Sequence, residues 1–161
     1  MEIWLFLKDS LNGEIAAFHD LLLLSEQEKE AIIQNDVQSI SSIVEKQQSL
    51  LNALKTIKSE RERRLSAHGK DDQPQQLKEL VDSVQGALGD ELRRLFAQRE
   101  SAAEKLRTAT ALNRKLIDTQ LQYTSYCINL ITGQGSVPGT YSVSGTIKEE
   151  GVQPSIIDQT I

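Results

Sequence analysis

The stretch VQSISSIVEKQQSLLNALKTI, residues 37–57, decides the fold. Val37, Ile40, Val44, Gln47, Leu51 and Leu54 recur at spacings of three and four, the heptad rhythm of helices packed along their length, and Ile43, Leu50 and Ile57 widen the stripe. Immediately upstream, Asn35-Asp36 supplies a capping acceptor before Val37, so one helix ends and another begins there, with a tight reversal over 34–36. The preceding segment, 2–34, carries Ile3, Leu7, Leu11, Ile15, Phe18 and Leu22 three or four residues apart, again one face of a helix. At about 1.5 Å per residue each helix runs roughly 45 to 50 Å, a length that suggests an antiparallel hairpin.

The polar run His68-Gly69-Lys70-Asp71-Asp72-Gln73-Pro74 is a connecting loop, opened by a helix-ending Gly and closed by a Pro suited to a first helical turn. A third segment covers about 75–131. Its seam reads Leu106, Ala109, Asn113, Leu116, Gln120, Tyr123, Cys127 and Leu130, alternating by three and four, which one long helix fits best. Gly86 and Gly89 each cost about 1 kcal/mol inside a helix, and Asp90-Glu91 favours a fresh start, so a break near 86–90 stays open. Beyond Thr132 the composition changes. The last 30 residues hold five of the nine Gly and two of the three Pro, the mark of an extended, mobile tail. The expected architecture is all-α: an elongated antiparallel hairpin plus a third long helix over 1–131, followed by a flexible tail over 132–161.

Composition narrows the function. The 161 residues are 39% hydrophobic and 25% charged, enough for one modest core. With seven aromatics and few turn formers, a sandwich or barrel is disfavoured. Eighteen basic against 23 acidic residues give a net charge of −5, so counterion release offers no overall drive toward nucleic acid. Cys127 is the single cysteine, which forbids an internal disulfide or thiolate cage and points to a reducing cytoplasm. The apolar start at Ile3–Leu7 gives way to Lys8 and Asp9, short of a secretory core, and the uncharged run 119–147 is too interrupted to span a membrane. No cofactor or metal is expected. His19 and His68 sit in no ligand or triad context, Glu26, Glu28 and Glu30 distribute around a helix, and Gly133-Gln134-Gly135 lacks the rest of a phosphate loop. Arg61, Arg63 and Arg64 alternate with Glu60 and Glu62, as helix salt bridging explains. Asn113 and Gln120 would cost stability in a closed seam unless hydrogen-bonded, whereas a groove that accepts another helix can use them to set register.

Three stretches resemble the FlgN-type flagellar export chaperones. The first is the hairpin pattern with Glu45-Lys46 leading into Leu50-Leu51; the second is Asn113-Arg114-Lys115-Leu116-Ile117-Asp118-Thr119-Gln120 in the last long helix; the third is Tyr141-Ser142-Val143-Ser144-Gly145, where Ser142 stands in place of the family's usual Gly. The resemblance implies a cytoplasmic, non-catalytic chaperone. It would hold hook-filament junction proteins unassembled through their terminal helical segments and deliver them to the flagellar export gate. The expected client-binding residues are Leu106, Ala109, Asn113, Leu116, Ile117, Gln120 and Tyr123; Tyr141 and Gly145 are expected to dock on the gate. The alternative is a coiled-coil scaffold that self-associates through the same seams.

A Gly- and Ser-rich tail buries little apolar surface, so deleting residues 132–161 should leave the thermal melting transition of the helices nearly unchanged. A large drop in melting temperature would place the tail in the core.

Overall fold

The computed structural model describes residues 2–132, which form four helices and no strand: α1 (Glu2–Gln34), α2 (Val37–Ala67), α3 (Pro74–Asp82) and α4 (Gly86–Thr132). The protein is all-α. The chain divides into two units, residues 1–123 and 124–161, and in the second the described part is the end of α4. The expected tail, with Tyr141 and Gly145, lies outside the described residues.

Local chemistry fixes the hairpin where the sequence places it. Asn35 takes a left-handed φ of 55°, and the amides of Asn35 and Asp36 donate to the carbonyls of Ile32 and Ala31, closing α1. Asp36 then caps α2: its carboxylate accepts from the Ser39 amide at 3.1 Å and the Ser39 hydroxyl at 2.6 Å, and these bonds lower its pKa. At the far end of α2, Gly69 (φ 65°) and Lys70 close the helix in the same way onto Ser66 and Leu65. Pro74 opens α3.

The segment from 75 to 131 is two helices, not one. Gly86 adopts φ 77°, and a Cβ on Gly89 would lie 2.0 Å from the Val84 carbonyl oxygen, which Arg93 Nη1 also binds at 3.0 Å. The chain folds back tightly here because α3 is a short amphipathic lid. Its Leu77, Leu80 and Val81 pack with Leu7, Leu11, Leu65, Leu92 and Leu95 into the main core cluster, which a straight helix would leave uncovered.

Contacts between helices set their directions. Arg61 meets Ser10 and Glu14 while Gln47 meets Glu28, so α1 and α2 are antiparallel. Lys8 pairs with Glu91 at 2.9 Å, Glu14 with Arg99, and Ser25 with Asn113, so α4 runs parallel to α1. α2 already ends beside the start of α1, and the loop and α3 keep the chain at that end, from which α4 sets out parallel to α1.

The inward stripe of α2 keeps half of the expected heptad, Ile40, Gln47 and Leu54 being half-buried, and is completed by the residues that widen it. Ile43 is buried and Leu50, Leu54 and Ile57 are half-buried, continuing to buried Arg61 and Leu65, whereas Val37, Val44 and Leu51 are exposed. The reason is Arg61. Its side chain is 1% exposed, Nε lies 2.6 Å from Asp72 Oδ1, Nη2 lies 3.2 Å from Asp72 Oδ2, Nη1 lies 2.7 Å from Glu14 Oε1 and also donates to Ser10 at 3.1 Å. Glu14 binds Arg99 with its other oxygen. Burial alone would lower the Arg61 pKa, but the hydrogen bonds and charges of Asp72 and Glu14 outweigh it and the pKa is raised. One guanidinium thus ties α2 to α1 and to the loop before α3, and through Glu14 to α4. Arg63 and Arg64 behave as the sequence indicates, pairing with Glu60 and holding its carboxyl down at about 2, while Arg64 also covers the Phe6 ring at 4.0 Å.

Arg61→Ala leaves Glu14 and Asp72 buried without their shared cation and should cost about 3–5 kcal/mol in urea unfolding. Arg63→Ala, on an exposed pair, should leave the midpoint nearly unchanged.

Candidate functional site

The inner seam of α4 is built on the heptad spacing that the sequence displays. Leu92, Leu95, Ala102 and Asn113 are buried, and Leu106, Ala109, Leu116 and Gln120 lie half-buried at the intervening three- and four-residue steps. Asn113 is anchored, because its Nδ2 donates to the Ser25 carbonyl at 2.7 Å and to Glu28 Oε2 at 2.9 Å. The same Glu28 oxygen accepts from Gln47 Nε2 at 3.2 Å. Residues of α1, α2 and α4 therefore meet in one polar layer, whose directional bonds fix the register of three otherwise interchangeable heptads. Asn113 is 3% exposed and spends both Nδ2 hydrogens inside the chain.

The expected client-binding residues accordingly divide. Ala109, Asn113, Leu116 and Gln120 follow the inward stripe. Leu106 borders a groove, and Ile117 and Tyr123 are exposed at 37% and 65%.

Sequence reasoning missed the neighbouring flank of α4. An open groove of about 720 Å³ is lined by Phe18 of α1, by Pro74, and by Ala103, Leu106, Thr110 and Ala111 of α4, with Arg99, Glu100, Arg107 and Arg114 at its edges. Ile117 and Leu121 continue the Thr110–Arg114 row of α4 by further steps of three and four. Leu121 is 60% exposed, and Leu112 stands exposed on another side of the helix. In the second unit, Tyr126, Ile128, Leu130 and Ile131 of α4 are exposed as well. Of the fourteen exposed large hydrophobics among the described residues, eight belong to α4. Of these eight, Ile117 and Leu121 share the row that borders the groove. The signal in the sequence was the second row of small and apolar residues, at 103, 106, 110, 117 and 121, beside the more regular seam.

Among the described residues no group of three or more His, Cys, Asp or Glu side chains could hold a metal ion, and no described helix is long and apolar enough to cross a membrane. Glu14 and Asp72, the buried carboxylates beside Arg61, face arginines and no open cavity for a substrate.

A helical bundle closed on one side of its last long helix and apolar on the open side is the build of a protein that binds other protein chains. The family model described as FlgN protein matches residues 6–149, and the chain belongs to that family, the flagellar export chaperones. The family's partners are flagellar hook-associated proteins. No curated protein and no solved structure matches the chain.

The two sides of α4 respond differently to charge. Leu116→Glu, on the inward stripe, should destabilise the free protein by about 1–3 kcal/mol, while Leu121→Glu, exposed in the same helix, should melt like the parent. Thermal melts of the two variants check this directly.

Proposed function

We propose that the protein is a cytoplasmic chaperone that binds hook-filament junction proteins, keeps them from assembling prematurely and delivers them to the flagellar export gate. The observation that carries this reading is the row of small and apolar residues on α4, half-buried at Ala103 and Leu106 and exposed at Ile117 and Leu121, beside a seam that its own chain has already filled. A terminal segment of the client, amphipathic and unfolded on its own, gains a partner for its apolar face by folding as a helix along Ala103, Leu106, Thr110, Ile117 and Leu121. Burying that face removes the surface through which clients associate with one another. Leu106 and Ile117 keep the client-binding role assigned to them from the sequence. Tyr123, two residues past Leu121, faces another side of α4 and is no part of this row, and Ala109, Asn113, Leu116 and Gln120 hold α4 in place beneath it.

Delivery calls for a second surface that stays available while the client is bound. Tyr141 and Gly145, in the segment after α4, fill that role in this proposal. Tyr141 is the one aromatic residue of that segment, and a single aromatic anchor suits a weak and reversible contact.

Two substitutions separate the surfaces. Leu121→Glu should weaken binding of a purified hook-filament junction protein by at least about tenfold without altering the melt, since a charge in a closed contact loses its hydration. Tyr141→Ala should leave that affinity unchanged and weaken capture by the purified export-gate component. Full client affinity in Leu121→Glu contradicts the α4 site, and undiminished gate binding in Tyr141→Ala contradicts the docking role.

A further inference from the structure

We propose that the groove on α4 selects an amphipathic helix that carries two carboxylates about one heptad apart, held by Arg107 and Arg114. The inference rests on the reading of α4 as the client-facing helix and adds the chemistry that the client must present.

Of the charges at the groove, only some are free to act. Arg99 is committed to Glu14 and Glu100, and Glu100 to Arg99 in return. Arg107 pairs only with Glu104, and both side chains are about two-thirds exposed, at 68% and 66%, so the pair is screened and readily exchanged. Arg114 is exposed and makes no ion pair or hydrogen bond among the described residues. Two cations are therefore available on one edge of the groove. They are seven residues apart on one continuous helix, about 10 Å along its axis. A carboxylate pair at positions i and i+7 of a helix lying alongside has the same spacing. Arginine also suits the task, since its planar fork grips a carboxylate with two donors.

The floor supports the same partner. Ala103, Thr110 and Ala111 are small, so a second helix can approach closely there, with its own large aliphatic side chains directed at Phe18 and Leu106. The chain as a whole carries a net charge of −5 and repels acidic partners at long range. Among the charged residues that line the groove, three arginines stand against one carboxylate, Glu100, with Glu104 and Asp118 just outside it, so an acidic helix meets a local excess of cations there that the chain as a whole does not offer.

The test uses the full chain and two designed 21-residue amphipathic peptides with one common leucine face, differing only in Glu or Lys at two positions seven apart. Fluorescence anisotropy at low salt should show the Glu peptide binding about tenfold more tightly, with the advantage lost at high salt. The double variant Arg107→Glu/Arg114→Glu, checked by its melt, should reverse the preference toward the Lys peptide. Equal binding of both peptides, or an unreversed preference in the double variant, overturns the inference. Equal binding that Leu121→Glu abolishes leaves the α4 client site standing and removes only the charge selection; absence of binding by either peptide, with a junction protein still bound at full strength by Leu121→Glu, removes both. Sedimentation showing a dimer of the chain that the double variant dissociates would make a second copy the occupant and also overturns the inference.

Discussion

The packing of this protein depends on one buried cation. Arg61 sits 1% exposed among the helices, and desolvating a guanidinium costs several kcal/mol unless its donors are filled. Glu14, Asp72 and Ser10 fill them, and each comes from a different place in the chain or binds onward to another helix. Asp72 is held in the loop that precedes α3, so satisfying Arg61 also fixes where α3 begins. Glu14 shares its second oxygen with Arg99, which sets α4 against α1. An apolar residue in place of Arg61 would fill the space but would not discriminate among the heptad registers available to long helices. The Gln47–Glu28–Asn113 layer does the same further along the bundle, with two amides donating to one half-buried carboxylate.

These two layers explain why α4 has one side closed and one side open. Once Arg99 and Asn113 are both engaged, the rotation of α4 about its axis is settled, and Ala103, Thr110, Ile117 and Leu121 are directed away from the seam. The short α3 contributes by capping the core with Leu77, Leu80 and Val81 at the end of the hairpin where α2 stops and α4 starts. A surface that is apolar yet borne by a helix pinned through buried polar bonds can accept another chain without rearranging the core. That separation between holding the fold and meeting a partner is what a chaperone of disordered or partly folded clients requires, because its own stability must not depend on the client.

The sequence was legible wherever local chemistry decides. Both hairpin helices, their caps at Asp36 and Gly69, and the helix start at Pro74 follow from residues whose preferences act over a few positions. The FlgN resemblance likewise rested on short stretches, and the family match covers them. Long-range choices were less legible. Val37, Val44 and Leu51 fit a heptad as well as Ile43, Leu50 and Ile57 do, and only the burial of Arg61 distinguishes them. Arg61 stands among Glu60, Glu62, Arg63 and Arg64, where nothing local separates it from a solvated charge; its place seven residues after Leu54 and four before Leu65 was the available sign. Asn113 was read as a register residue for a partner helix, while its partners are Ser25 and Glu28, 88 and 85 residues away. The break before α4 was left undecided because Gly86 and Gly89 permit a turn, whereas the core that α3 covers is what demands it.

The central claim is that the client covers the outer flank of α4 and leaves the hairpin's exposed α2 row untouched. Single cysteines at Ala103, Leu121 and Val44, each introduced into a Cys127→Ser background, report this through their rates of reaction with a thiol reagent. Adding a purified junction protein should slow labelling at 103 and 121 by about tenfold or more, as water is excluded from a closed contact, and leave 44 unchanged. Slowed labelling at 44 with 103 and 121 as reactive as in the free protein would contradict the account.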